Sequence, residues 1–123
     1  MKLINDLYTV MNSAPHPAGF IIAIVFKPDH IIYTGHFPGH PVTPGVVQLQ
    51  LVHELLEEEL DQKLKLNNIS QCKFLKVLNP LETRQLEVHI DITSVEEHLH
   101  VKAWGENDGQ IFFKLQAVYQ FLT

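Results

Sequence analysis

Histidine, glycine and proline are concentrated in residues 36–47, directly before a long apolar segment. Proline fixes φ and lacks a backbone N–H, whereas glycine lets a substrate or another backbone approach closely. The run therefore predicts a rigid loop that ends where a helix begins. A histidine held in that loop, His36, is available for proton transfer near neutral pH.

The segment after this loop predicts one long helix. Thr43 is a candidate N-cap with Pro44 at the first helical position, and good helix formers continue to about Gln62. Apolar residues surround most of the first two turns and then narrow to a stripe. A helix that is apolar on most sides is buried, so this helix is expected to lie inside the fold.

The remaining elements are predicted to be strands. The apolar run Phe20–Phe26 predicts a strand covered on both faces, and the stretch Asn12–Gly19 predicts a loop because it is rich in proline and small residues. Apolar residues alternate with polar ones in residues 86–92, 99–103 and 111–121, with a hairpin signal at 107–109. Cys72 is expected to fill the core of a further strand. The order is strand, loop, helix, then three or four antiparallel strands, which is an α+β fold in one domain spanning residues 1–123.

Composition excludes some functional classes. The chain has 123 residues and a formal net charge of −5, which argues against nucleic acid as the main partner. Its single cysteine excludes an intrachain disulfide and favours a reducing compartment. Phe20–Phe26 is too short to span a bilayer and residues 1–6 lack the apolar run of a signal peptide, so no membrane insertion and a cytoplasmic location are expected.

Two segments give the chain a family resemblance. The first matches the signature His-Phe-Pro-Gly-x-Pro-x-x-Pro-Gly-Val through His36, Phe37, Pro38, Gly39, Pro41, Pro44, Gly45 and Val46. The second matches Lys-Phe-x-x-Pro-Val-x-Pro-Gly-Asp more loosely, through Lys73, Phe74, Pro80 and Glu82. The chain thus resembles the hotdog-fold β-hydroxyacyl-acyl carrier protein dehydratases from about Phe20 to its C-terminal end.

This resemblance implies a fold, a reaction and an assembly. The sheet would wrap the helix, and two subunits would join their sheets in a homodimer, or a multiple of dimers, with substrate tunnels at the interface. His36 would take the C2 proton of a 3-hydroxyacyl thioester, carried on acyl carrier protein, in fatty acid or related acyl biosynthesis. An acid on the helix of the other subunit would protonate the departing hydroxyl. No metal or organic cofactor is implied.

Elementary helix electrostatics supports part of this mechanism. The first N–H groups of a helix have no internal partner and carry partial positive charge, so Gly45 and Val46 can stabilise an enolate-like oxygen on the thioester carbonyl. The same positive end disfavours a charged imidazolium at His36. The motif residues Phe37, Pro38 and Gly39 are expected to bind substrate. Val46, Leu49 and Phe74 are expected either to line an acyl tunnel with Phe37 or to belong to the core.

The chain departs from the family at the acid. Gln50 stands where the family has its acid, and Glu54 stands where the family commonly has glutamine. Residues four apart share a helix face, so Glu54 can face the same cavity, displaced by roughly 6 Å along the axis, and supply the missing acid directly or through one water. Glu54 can equally be a solvated or paired carboxylate. Gln50 would then hydrogen-bond a substrate oxygen in an acyl thioesterase or in a non-catalytic acyl-thioester-binding protein.

Two further groups of side chains are candidates for binding, namely three basic residues and two pairs of histidines. Lys73, Lys76 and Arg84 flank the strand after the helix and form either a basic patch for an acidic carrier protein or ordinary solubilising charge. Neither the His36/His40 pair nor the His98/His100 pair has the setting of a metal site, because the first lies in a proline-rich loop and the second on a polar strand face.

Overall fold

The structure is a computed structural model that describes residues 2–34 and 39–122. Its elements run β1 Tyr8–His16, β2 Gly19–Phe26, a 3₁₀ turn at Ile31–Tyr33, α1 Gly45–Leu60, β3 Leu64–Phe74, β4 Gln85–Val95, β5 His98–Asn107 and β6 Gln110–Phe121. The strands form one six-stranded sheet in the order β1-β2-β4-β5-β6-β3, and every neighbouring pair is antiparallel. None of the helices in these described ranges is long and apolar enough to cross a membrane.

The core lies between α1 and one face of this sheet. Strands β4, β5 and β6 alternate buried and more exposed residues, as the period-two pattern predicted. The helix buries Val47, Leu51, Val52, Leu55 and Leu56 against them. Each such side chain contributes about 1.5–3 kcal/mol when fully buried, so these contacts hold the helix on the sheet. The predicted α+β arrangement of one buried helix on an antiparallel sheet is confirmed.

The hairpin between β5 and β6 follows its sequence signal. Asp108 and Gly109 have φ values of 50° and 77°, the left-handed conformations that a two-residue turn between twisted strands requires. The predicted turn is confirmed.

Both ends of α1 differ from the prediction. The helix begins at Gly45, so Pro44 is its N-cap and makes no side-chain capping hydrogen bond. Thr43 instead directs its hydroxyl to that of Tyr33, at 2.8 Å, and its N–H donates to the Leu78 carbonyl. The helix ends at Leu60 rather than Gln62, because Asp61 adopts the left-handed conformation that terminates helices.

Two predictions about the first strands were wrong. Asn12–Gly19 is largely strand, since β1 extends to His16 and only residues 17 and 18 turn the chain. β1 is an edge strand, where the missing N–H of Pro15 is tolerated. β2 is fully buried only at Ile22, Ile24 and Phe26, and its other residues are only partly buried, so the strand is not covered equally on both faces.

Strand β3 is the other edge of the sheet and is poorly covered. Its inward-facing side chains are poorly covered by α1, so Leu66, Ile69, Cys72 and Phe74 are exposed, and only Leu64 is buried. The prediction that Cys72 fills the core is therefore wrong for the single chain. An apolar edge strand without cover is typical of a surface that pairs with another chain.

Candidate active site

The start of α1 presents two backbone N–H groups that donate to none of the described residues. The N–H groups of Val47 and Gln48 both bond the Pro44 carbonyl, at 3.1 Å each. No described residue accepts a hydrogen bond from the N–H of Gly45 or Val46. Because Pro44 also offers no capping side chain, the partial positive charge of the helix dipole is concentrated at these two amides. Such an end can bind an anionic or developing oxyanion oxygen.

A buried hydrogen-bond network fixes this helix start in place. Gln48 is only 4% exposed, and its Nε2 donates to the Thr43 carbonyl at 2.9 Å. Thr43 in turn bonds Tyr33, and burial raises the pKa of the Tyr33 hydroxyl above its ordinary value. The Oε1 of Gln48 is buried without a hydrogen-bond partner, which leaves an acceptor beside the helix start. The network therefore orients the two open amides rigidly.

Sequence reasoning missed Gln48 and Tyr33 as supports of the site. An amide side chain among the apolar residues at the start of a buried helix was the available signal for Gln48. Tyr33 had no comparable local signal, because its contact depends on how the loop folds back onto Thr43.

Gly45 and Phe74 meet at the wall of a groove. A Cβ atom on Gly45 would lie 2.7 Å from both Cε2 and Cζ of the Phe74 ring, so only glycine allows the ring its position. The ring is 49% exposed and forms part of a groove of ≈ 340 Å³ beside the helix start. The groove is lined by Val42, Thr43, Pro44, Gly45, Gln48, Phe74, Leu75, Lys76, Val77 and Leu78.

Glu54 occupies a different environment, one turn beyond Gln50. Its side chain is 4% exposed and accepts four hydrogen bonds. The donors are the Leu3 N–H at 2.7 Å, the Ile4 N–H at 2.8 Å, the Tyr8 hydroxyl at 3.0 Å and the Gln50 Nε2 at 3.1 Å. The carboxylate thus anchors the N-terminal segment onto the helix.

The Glu54 carboxylate also affects the ionisation of Tyr8 and the orientation of the Gln50 amide. Burial, followed by the negative charge of Glu54, raises the pKa of the Tyr8 hydroxyl far above its ordinary value, so Tyr8 remains a donor. The bond from its Nε2 to Glu54 likewise fixes the orientation of the Gln50 amide.

The predicted site residues are only partly brought together. His36, Phe37 and Pro38 lie outside the described residues. Gly39 is exposed with a φ of 79°, while Val46 is 74% exposed and Leu49 packs against the core, and neither of the last two lines the groove. Gly45 meets Phe74, and Gln50 meets Glu54, as separate contacts on the same helix.

The predicted basic residues separate into two places. Lys73 lies directly opposite Lys114 in the β3–β6 register, and Lys76 lines the groove with its Nζ 5.5 Å from the centroid of the Phe112 ring. Arg84 instead donates to the Phe26 carbonyl at the end of β2, at 3.0 Å. Lys73 and Lys114 therefore lie together on the outer face of the sheet, whereas Lys76 lies in the groove.

Comparisons with known proteins agree with this architecture. The ApeI-like family, described as ApeI dehydratase, matches residues 13–114. The 3-hydroxyacyl-[acyl-carrier-protein] dehydratase FabZ of Rickettsia massiliae (strain Mtu5) is 27% identical over 112 residues, which cover 72% of this chain and 77% of that protein. The predicted resemblance to the dehydratases is confirmed.

Solved structures agree on the fold. The dehydratase heterocomplex ApeI:P from Xenorhabdus doucetiae matches with a TM-score of 0.72 and 21% identity, over 90% of this chain and 96% of the matched one. The BH2602 protein from Bacillus halodurans, solved with CoA, matches with a TM-score of 0.62 and 11% identity, over 92% of this chain and 74% of that one. The predicted hotdog fold is confirmed.

Proposed function

Because the chain belongs to the ApeI-like dehydratase family, we propose that it removes water from a 3-hydroxyacyl thioester carried on acyl carrier protein, in fatty acid or related acyl biosynthesis. The observation that carries this proposal is the open helix start, where the N–H groups of Gly45 and Val46 adjoin a groove. A thioester carbonyl oxygen placed at these amides gains hydrogen bonds as negative charge develops on it.

The reaction divides between two motif residues. His36 takes a proton from C2, and the electron pair of that C–H bond moves toward the carbonyl, whose oxygen is held by the N–H of Gly45. The C3–O bond then breaks, a C2–C3 double bond forms, and the hydroxyl leaves with a proton as water. The products are an enoyl thioester and water, and no metal or organic cofactor takes part.

The groove beside the helix start is proposed to hold the acyl thioester. Phe74 supplies an apolar wall that meets Gly45, and the Gln48 Oε1 supplies a buried acceptor nearby. The proposed substrate-binding residues are Phe37, Pro38, Gly39, Val46, Leu49 and Phe74.

Protonation of the leaving hydroxyl is assigned to the altered pair of Gln50 and Glu54. Both oxygens of Glu54 already accept hydrogen bonds, so direct donation from Glu54 fits its contacts less well than transfer through one water. Gln50 would contact the hydroxyl, because its amide lies on the same helix face as Glu54 and is oriented by it. The pair therefore acts as one unit in the proposal.

Gln50 also supports a second candidate. An amide cannot donate a proton to a leaving hydroxyl as a carboxylic acid does, so the same groove is suited to an acyl thioesterase or to a non-catalytic protein that binds acyl thioesters. These alternatives retain the open helix start and differ only in the product.

A homodimer, or a multiple of dimers, is proposed through β3. The strand exposes Leu66, Ile69 and Phe74 on its inner side and has an unpaired edge. Light scattering should give twice the chain mass, and Ile69→Glu should shift the protein toward monomer. Lys65→Gln, on the other side of the same strand, serves as the control and should remain a dimer. A wild-type monomer, or assembly only with a different chain, would contradict the homodimer.

Acyl carrier protein is the proposed carrier because Lys76 lies in the groove and Lys73 pairs with Lys114 near the end of β3 that reaches it. Two lysines directly opposite each other repel unless a negative partner lies across them. An acidic carrier protein would supply that charge.

The test is product analysis by mass spectrometry after incubation with a 3-hydroxyacyl thioester on carrier protein or on coenzyme A. Enoyl thioester supports the dehydratase, free thiol indicates a thioesterase, and unchanged substrate indicates a binding protein. Gln50→Glu restores a carboxyl at the family position and should increase enoyl formation. If Glu54→Gln folds and turns over at the wild-type rate, the role of Glu54 in proton transfer is wrong.

A further inference from the structure

The outer face of the sheet carries a compact group of possible metal ligands, away from the groove. Glu87 and His89 lie two residues apart on β4, and both alternate with the buried residues Leu86 and Val88. Glu106 lies on β5 directly opposite Glu87 in the antiparallel register. The three side chains therefore project from the face opposite α1.

Their ligand atoms converge. The Nε2 of His89 is 2.6 Å from Oε1 of Glu106 and 3.6 Å from Oε1 of Glu87. One ligand atom from each of the three residues can be chosen so that all lie within 4.8 Å of one another. A Zn²⁺ ion with bonds of about 2.1 Å places tetrahedral ligand atoms about 3.4 Å apart, so small rotations of two glutamate side chains are sufficient to form the site.

The pairing of the two glutamates favours a cation between them. Like charges directly opposite each other on neighbouring strands are destabilising, and Glu87 and Glu106 occupy such positions. The Nε2 atom of His89 is buried between them and makes no hydrogen bond of acceptable geometry, despite the short contact to Glu106. A neutral imidazole nitrogen in this setting offers its lone pair to a metal ion.

The ring of His89 is held in a defined orientation. It stacks on Trp104, its cross-strand neighbour, with ring centroids 4.8 Å apart and an interplanar angle of 10°. The His89 side chain is 15% exposed, so the ring has little freedom to turn away. Trp104 is also the only tryptophan of the chain, so its fluorescence reports on this site alone.

We propose that Glu87, His89 and Glu106 form a binding site for a divalent transition-metal ion such as Zn²⁺, which links β4 to β5 on the outer face of the sheet. One imidazole and two carboxylates suit Zn²⁺ better than Mg²⁺ or Ca²⁺, which prefer oxygen ligands alone. The partly exposed Glu87 leaves the site open to solvent, so water can complete the coordination. The site is separate from the groove and does not depend on the proposed reaction.

The test is calorimetric titration of chelator-treated protein with ZnCl₂, together with Trp104 fluorescence during titration with NiCl₂. Wild-type protein should bind one more zinc ion than His89→Gln, and Ni²⁺ should quench Trp104. Glu106→Gln should weaken binding at least tenfold. His100→Gln, which removes an exposed histidine from the outer face of β5, should bind like the wild type.

Three results would overturn the proposal. These are the absence of zinc binding at millimolar concentration, equal binding by the wild type and His89→Gln, and an equal loss of binding in His100→Gln and His89→Gln. Circular dichroism of each metal-free variant verifies that it is folded. Should His89→Gln fail to fold, Glu106→Gln provides the same comparison.

Discussion

The two halves of α1 differ in whether their polar groups have hydrogen-bond partners among the described residues. At its start, the N–H groups of Gly45 and Val46 have no acceptor among the described residues, although the surrounding network is rigid. One turn beyond Gln50, the Glu54 carboxylate is surrounded by four donors. Open donors at a helix start are suited to binding a reacting oxygen, whereas a saturated buried carboxylate stabilises the fold.

The departure from the family falls between these two regions. The motif at the helix start is retained, but the carboxyl expected at position 50 is found at 54, where it anchors the N-terminal segment. A carboxylate on the correct helix face can thus also anchor another segment of the chain. Substitutions at the start should reduce activity with little effect on stability, whereas substitutions at Glu54 should reduce stability as well as the proton transfer proposed for it.

The largest expected effect comes from His36→Ala. Removing a general base lowers turnover by about 10²- to 10⁴-fold, and the urea unfolding midpoint should change little. His40→Ala, which removes the other histidine of the same loop, is the control and should retain most of the activity. Full activity in His36→Ala would contradict the proposed role of His36 as the general base.

The next largest effect is expected from Glu54→Ala. Four buried or partly buried donors lose their acceptor, so the free energy of unfolding should fall by about 3–5 kcal/mol, as measured by urea denaturation. Glu58→Ala, an exposed carboxylate of the same helix, should change it by less than about 0.5 kcal/mol. Equal effects of the two substitutions would show that the Glu54 contacts carry no special energy.

Gly45→Ala tests whether the close approach of Gly45 and Phe74 keeps the helix start accessible to substrate. The added methyl displaces the Phe74 ring, which is half exposed and free to move, so stability should change by less than about 1 kcal/mol. Turnover should fall about tenfold, because the methyl and the displaced ring obstruct the amide. The double variant Gly45→Ala/Phe74→Ala should recover part of the loss. No recovery would mean that the Phe74 ring does not transmit the effect.

The smallest effect is a loss of stability at alkaline pH around Tyr8. Its pKa in the folded protein is raised by burial and by Glu54, whereas in the unfolded chain the hydroxyl ionises near pH 10. The contribution is therefore complete below about pH 10 and is lost as the pH rises above it, by about 1 kcal/mol at pH 11. Burial likewise raises the pKa of Tyr119 to about 12, so the contribution of Tyr119 to the stability of the protein is also lost as the pH rises.

The measurement for this effect is urea unfolding at pH 8 and pH 11. Tyr8→Phe should be less stable than the wild type at pH 8, because it lacks the bond to Glu54, but should lose less stability on going to pH 11. Tyr119→Phe should show only the second change. If Tyr8→Phe and the wild type lose equal stability between pH 8 and pH 11, ionisation of Tyr8 does not contribute to the loss.

The sequence predicted those features that depend on local patterns. Period-two alternation located β4, β5 and β6, and the Asp108-Gly109 pair located their turn, because side-chain direction and φ are properties of neighbouring residues. The motif likewise located the start of α1 to within one residue. β1 was missed because Pro15 is unfavourable in most strands and is tolerated here only at the sheet edge.

Long-range contacts were not accessible in the same way. Glu54 meets the Leu3 N–H, 51 residues away in the sequence, and no local pattern encodes that approach. The exposure of Cys72 depends on β3 being the sheet edge, and the Glu87/Glu106 pair depends on strand register. These features follow only from the assembled sheet.

The most direct test of the central claim is a crystal structure of the protein with a stable analogue of a 3-hydroxyacyl thioester. The account predicts that the analogue's carbonyl oxygen lies within about 3 Å of the Gly45 or Val46 nitrogen, with C2 near His36 and the Leu3 and Ile4 bonds to Glu54 unchanged. A carbonyl oxygen placed away from both amides, or an analogue that displaces the N-terminal segment to contact Glu54, would contradict it.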